Sequence, residues 1–136
     1  MKRTGLLNRH LSTLVSTLGH MDEVVVADAG LPVPEGVAVI DLAIVPGLPR
    51  FMEVLAALRL ELVVERAIWA EEASAELVEL LDAEMAVWRE QTGKPIVTEQ
   101  MSHDAFKART SRSKAVIRTG EVTPYANVIL ISGVAF

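Results

Sequence analysis

The sequence predicts an α/β fold, a three-layer α/β/α sandwich built on one mainly parallel or mixed sheet. Two observations carry this expectation. Short β-branched runs alternate along the whole chain with longer stretches whose apolar residues recur at helical spacing. No internal repeat or low-complexity linker interrupts the alternation, so residues 1–136 are expected to form a single domain.

Each element has a local cause. Leu7, Leu11, Leu14, Val15 and Leu18 line one stripe of a first helix, with Asn8 positioned to cap it and Gly19 to end it, so His20 falls just past a helix end. Residues 23–28 form a β-branched run of the kind a sheet buries, closing on Asp28. A Gly/Pro loop leads to a second strand over 37–41, and Pro46-Gly-Leu-Pro49 precedes a helix over 50–60. Residues 62–70 read as a strand. The stretch 73–91 is rich in helix formers and spaces Leu77, Leu80, Leu81, Met85 and Trp88 along a helix, which makes it a core helix. Thr92-Gly-Lys-Pro95 ends it, 96–98 gives a brief strand, and Ser102 caps a helix reaching Arg112. Residues 114–118 and 127–132 supply the last two strands.

Composition narrows the function classes. A chain of 136 residues buries roughly two thirds of the surface its unfolded form exposes. It is 51% hydrophobic but only 4% aromatic, so Ala, Val, Leu and Ile carry the apolar content, and part of that surface is expected to lie in subunit contacts. A net charge of -5 argues against a phosphate-backbone partner, which needs clustered Lys and Arg. With no cysteine there is neither a disulfide frame nor a thiolate metal site, which suits a reducing cytoplasm. Lys2 and Arg3 resemble the start of a signal peptide, but Asn8, Arg9 and His10 break the apolar segment such a peptide needs, so the N-terminus reads as mature structure. The longest uncharged stretch, 122–136, has 15 residues against the roughly 20 that span a bilayer, and a soluble protein is expected.

Few residues are equipped for chemistry, and each has a structural alternative. His20 can exchange protons near neutrality or simply cap a helix end. Asp28 closes a strand where open α/β sheets bind ligands, and its carboxylate can accept from hydroxyls or cap the Gly-Leu-Pro turn. His103 begins a helix and is either a hydroxyl acceptor or a surface residue, while His10 sits within the first helix as a surface or interface residue. Tyr125 and Asn127 offer a phenol and a carboxamide suited to polyols, or satisfy backbone groups at a turn. Arg118 and Glu121 flank them and could form a surface ion pair. Glycine spacing fits neither a dinucleotide fingerprint nor a P-loop, no Gly-x-Ser-x-Gly elbow occurs, and the three separated histidines lack a metal-binding pattern. What remains is cofactor-free acid/base chemistry or plain binding.

The segments Asp28-Ala-Gly-Leu-Pro-Val-Pro-Glu-Gly36 and Thr119-Gly-Glu-Val-Thr-Pro-Tyr-Ala-Asn-Val128, with Gly19-His20 and Ser102-His103, resemble the D-ribose pyranase (ribose mutarotase) family, relatives of the L-fucose mutarotases. The resemblance implies an isomerase that interconverts the β-pyranose and β-furanose forms of D-ribose without cofactor or metal. It implies His20 as the catalytic proton donor, and Asp28, His103, Tyr125, Ala126 through its backbone, and Asn127 as sugar-binding residues. It further implies a ring-shaped homo-oligomer, typically a decamer of two pentamers with sites at subunit contacts, and a metabolic link to a ribose kinase. Geometry bears on that assembly: if 22–28 is a straight strand at about 3.3 Å per residue, His20 and Asp28 stand roughly 20 Å apart and cannot share one ribose within a subunit. Two other readings stay open, a non-catalytic sugar-binding protein assisting ribose uptake or regulation, and an L-fucose-type mutarotase. The Asp28-Ala-Gly-Leu-Pro32 segment resembles the ribose branch.

Overall fold

The computed structural model describes residues 1–136. In chain order the elements are α1 (Arg9–Thr17), β1 (Glu23–Ala27), β2 (Ala38–Asp41), α2 (Phe51–Leu58), β3 (Val64–Ala70), α3 (Ala75–Thr92), β4 (Val97–Met101), α4 (His103–Arg109), a 3₁₀ turn (Thr110–Arg112), β5 (Ala115–Arg118) and β6 (Val128–Ser132). The six strands form one sheet in the order β2-β5-β1-β6-β3-β4. β6 runs antiparallel to both β1 and β3, and the other pairings are parallel, so β1 to β5 all point one way. Their carboxyl ends therefore share one end of the sheet with the start of β6, and the end of β6 lies beside the starts of β1 and β3.

Helices cover both faces, as the alternation of elements predicts. Leu11 and Leu14 of α1, Phe51, Val54, Leu55 and Leu58 of α2, and Leu77, Leu81, Met85 and Trp88 of α3 pack with one face of the sheet. Phe106 of α4 packs with Val25, Val116, Ile68 and Ile129 on the other. Trp88 is fully buried and its indole N–H donates to the Leu62 carbonyl at 2.8 Å, so the large ring adds no unpaired donor. Truncating a side chain of this kind to alanine removes about 3–5 kcal/mol. No helix is long and apolar enough to cross a membrane.

The caps follow the local chemistry. Asn8 accepts from the N–H groups of His10 and Leu11, Ser74 from Leu77, and Ser102 from Ala105, each satisfying donors that the first turn leaves free. Gly93 closes α3 at φ 65, a left-handed conformation glycine adopts without a Cβ clash.

Four details depart from the sequence expectation. Leu7 is exposed, and Leu6 fills the core instead, its N–H donating to Glu61 Oε1 at 2.7 Å. The Lys2 ammonium, by hydrogen bond and then charge, and the Leu6 N–H hold that carboxyl below its ordinary range. Leu80 is exposed because the buried stripe of α3 runs through Leu77, Leu81, Met85 and Trp88. β4 begins one residue later and extends to Met101, since its parallel register with β3 continues from Arg66↔Val97 to Ala70↔Met101. The last helix tightens to a 3₁₀ turn after Arg109, where Thr110 Oγ1 bonds the Lys107 carbonyl and Ser113 Oγ bonds the Thr110 carbonyl.

Candidate active site

The carboxyl end of the sheet gathers most of the candidate residues. Asp28 follows β1 directly, Ser102 and His103 follow β4, and Asn127 immediately precedes β6. Adjacent strands β1 and β6 thus bring Asp28 beside Asn127. Asn127 Oδ1 accepts the Asp28 backbone N–H at 2.8 Å, and Asn127 Nδ2 donates to Asp28 Oδ2 at 2.9 Å. Asp28 Oδ1 also accepts the Gly30 N–H at 2.9 Å, so the turn-capping alternative holds alongside the pairing. Each carboxylate oxygen keeps a further acceptor site for a ligand hydroxyl.

Tyr125 reaches the same end through a strained turn. Its φ of 63 is unusual for a bulky residue, and the Ala126 and Asn127 N–H groups close the turn onto the Thr123 and Tyr125 carbonyls. The phenol ring meets His103 edge-on, with ring centroids 5.0 Å apart. His103 also lies 6.3 Å from Phe106, nearly parallel to it, and its Nδ1 is buried without a hydrogen-bond partner. Its backbone N–H is held by Glu72, whose carboxylate oxygens accept at 2.9 and 3.1 Å. Two pairs, His103 with Tyr125 and Asp28 with Asn127, thus stand at one end of the sheet, and Asp28 lines an open cleft of ≈ 280 Å³ there with Gly30 and Pro124.

Arg118 and Glu121 do not form an ion pair. Arg118 donates to the Ala29 carbonyl at 3.0 Å and to Asp41 at 3.1 Å. Glu121 turns the other way and accepts from the N–H groups of Phe51, Val122 and Thr123 and from Thr123 Oγ1. Burial pushes its carboxyl up, but the Thr123 hydroxyl and these backbone donors together outweigh burial and hold it below the ordinary range. Glu121 therefore braces the loop that carries Tyr125 and Asn127, while Arg118 ties the end of β5 to Ala29 and Asp41.

His20 lies at the other end. It precedes β1 in a turn where Asp22 N–H returns to the Gly19 carbonyl, Asp22 Oδ2 accepts the Gly19 N–H, and Met21 adopts φ 69 while bonding the Ser132 carbonyl. Met21, Asp22 and the five residues of β1 lie between His20 and Asp28, and β1 alone spans roughly 16 Å at about 3.3 Å per residue. His20 borders a groove of ≈ 510 Å³ lined by Val15, Leu18, Gly133 and Phe136, and its Nε2 meets Glu65 Oε2 at 2.9 Å. His10 is exposed on α1.

Sequence reasoning did not single out Glu65 or Glu72. Both come from the long β3–α3 region, where a carboxylate acquires meaning only from what the fold sets opposite it.

The fold defines an α/β protein that gathers polar groups beyond the carboxyl ends of parallel strands, the place where open sheets of this class bind ligands. The chain belongs to the RbsD / FucU transport protein family, whose model matches residues 1–135. D-ribose pyranase from Vibrio vulnificus is 51% identical across 100% of both chains. The structure of RbsD from Bacillus subtilis complexed with D-ribose superposes with a TM-score of 0.89 at 47% identity, again over 100% of each chain. FucU from Bifidobacterium longum, 22% identical, shares the fold with a TM-score of 0.81 over 96% of each chain.

Proposed function

We propose that this chain is a D-ribose pyranase, interconverting the β-pyranose and β-furanose forms of D-ribose by acid/base ring opening and reclosure. The observation that carries this reading is its end-to-end identity of 51% to D-ribose pyranase of Vibrio vulnificus. The 47% identical RbsD, complexed with D-ribose, supports the same sugar.

Opening the hemiacetal removes the proton from the anomeric hydroxyl, forms the C1 carbonyl, breaks the bond between C1 and the ring oxygen, and delivers a proton to that oxygen. The open chain rotates and recloses through a different hydroxyl with the transfers reversed. The reaction already proceeds slowly in water, so a positioned acid/base group with oriented hydrogen bonds suffices to accelerate it. In this reading His20 protonates the ring oxygen, while Asp28, His103, Tyr125, the Ala126 backbone and Asn127 hold the hydroxyls and relay the second proton. The intervening length of β1 supports a site completed by two subunits, His20 from one and the carboxyl-end cluster from its neighbour. A decamer with sites at its subunit contacts, a cytoplasmic location and a functional link to a ribose kinase complete the proposal.

Exchange NMR on D-ribose at equilibrium tests it. Wild-type protein should accelerate pyranose–furanose exchange and His20→Ala should lose about 10²- to 10⁴-fold of that acceleration. Retained sugar contact with no acceleration by the wild type would instead identify a sugar-binding protein, and acceleration of L-fucose alone a fucose-type mutarotase.

A further inference from the structure

We propose that Glu65 is the positioning residue for His20, holding the imidazole through Nε2 so that Nδ1 is the nitrogen that exchanges the proton with the sugar. The inference rests on the pyranase reading and extends it to the residue behind the proton donor.

Two independent observations carry it. Glu65 Oε2 lies 2.9 Å from His20 Nε2, within the range of a charge-assisted hydrogen bond, and no other protein group bonds the ring. An ionised carboxylate only accepts, so the contact requires the proton on Nε2 and leaves Nδ1 open. Backbone geometry gives the second observation. Between β3 and β6 the register passes from Val64↔Ser132 to Arg66↔Ile131, two steps along β3 against one along β6. Glu65 is the extra residue of a β-bulge, a device that re-aims a side chain beside a functional site. Gly133 lies against the bulge and its N–H donates to the Val63 carbonyl at 2.9 Å, fixing the backbone just before Glu65.

The bulge also restores the core pattern. Val64 packs with Ala67 and Trp69 on the face that α1, α2 and α3 cover, an odd-even change that an unbroken strand forbids. The one residue that absorbs this change is the one that meets His20. When Nδ1 gives its proton to the ring oxygen, Nε2 keeps its own, and the ring stays anchored on Glu65 while Nδ1 takes a proton back at reclosure. The carboxylate also faces the charge that the ring carries while it holds both protons.

The test compares full-length wild type, Glu65→Ala and the isosteric Glu65→Gln, with circular dichroism to verify the fold. In the wild type a hydrogen-bonded His20 Nε2–H resonance should appear downfield in the proton NMR spectrum, correlated to its ring nitrogen. It should vanish in Glu65→Ala and persist in Glu65→Gln, whose carboxamide oxygen can still accept. For ribose exchange, Glu65→Ala should lower kcat about 10- to 100-fold, the range typical of groups that orient a histidine from behind, with KM little changed, and Glu65→Gln should recover part of the loss. A folded Glu65→Ala protein within twofold of wild-type kcat, or a wild-type His20 protonated on Nδ1 alone, overturns the proposal. Absence of ring exchange in the wild type would overturn the pyranase reading, and the Nε2–H resonance decides the His20–Glu65 pairing in either case.

Discussion

Asn127 and Asp28 hold each other through two hydrogen bonds of opposite sense. The Asp28 N–H can only donate, which fixes Asn127 Oδ1 toward it at 2.8 Å and turns Nδ2 onto Asp28 Oδ2 at 2.9 Å. Asn127 is buried, so the pairing stabilises the junction of β1 and β6 as well as presenting the carboxylate. Asn127→Ala leaves the Asp28 N–H without a partner and should cost about 1–3 kcal/mol in urea unfolding, together with most ring-exchange activity. Asn127→Asp sets two carboxylates against each other. Its loss of stability should shrink as the pH is lowered, because protonating one of the pair removes the repulsion, whereas the alanine variant's loss should show no such recovery.

The separation of His20 from Asp28 by β1 makes a second prediction. Neither His20→Ala nor Asp28→Ala homo-oligomers should accelerate ribose exchange. If each site takes His20 from one subunit and Asp28 from another, mixed oligomers reassembled from equal amounts should regain about a quarter of wild-type activity, because random pairing leaves that fraction of sites with both native residues. A mixture as inactive as its parents, with subunit exchange verified by mass spectrometry, would refute the two-subunit site.

Local signals in the sequence specified most elements: the Asn8 and Ser102 caps, the Gly93 stop and the β-branched strands are decided within a few residues. The extra length of β4 was not legible, because Glu99, Gln100 and Met101 become a strand through pairing with Ile68, Trp69 and Ala70 rather than by propensity. Asp28, His103, Tyr125 and Asn127 could be named from their motifs, and the fold gathers them at one end. Their supports could not be. Glu65, Glu72 and Glu121 are ordinary acidic residues in sequence, and each acts through a partner 31 to 70 positions away. A surface Arg118–Glu121 ion pair is one arrangement the sequence allows, and it does not form because donors at Phe51 and Thr123 take up Glu121 while Ala29 and Asp41 take up Arg118.

Gly120 is required by its contacts. A Cβ there would stand 2.4 Å from the Leu48 carbonyl oxygen and 2.6 Å from its carbon, backbone atoms that cannot swing aside. The close approach lets the Gly120 N–H donate to the Pro49 carbonyl at 2.8 Å and its own carbonyl accept the Gly47 N–H at 2.6 Å, pinning the 45–49 loop to the Tyr125 loop. Gly120→Ala should cost about 3 kcal/mol in urea unfolding, the upper end of ordinary overpacking. Gly36→Ala, whose Cβ would meet nothing within 4 Å, should lose only what its positive φ costs, about 1–2 kcal/mol.

Acid stability follows from Glu121. Its carboxyl is lowered in the folded protein from the ordinary value of 4.5, so the folded state holds the ionised form more firmly than the unfolded chain does. A group depressed in this way contributes stability that is fully present above its unfolded value and is lost as the pH falls through its folded value. Glu121→Gln removes the charge from a site where the Thr123 hydroxyl and the N–H groups of Phe51, Val122 and Thr123 all point at it. The variant should therefore unfold at lower urea than wild type at pH 7. As the pH falls below 4.5 the wild-type carboxyl takes up a proton and the two urea midpoints should converge. A difference that stays constant from pH 7 down to the acid-unfolding limit would mean that packing, not charge, accounts for the role of Glu121. Because the Phe51 N–H begins α2 and Thr123 begins the turn into Tyr125, wild-type ribose-exchange activity should decline over the same acid range in which that convergence appears.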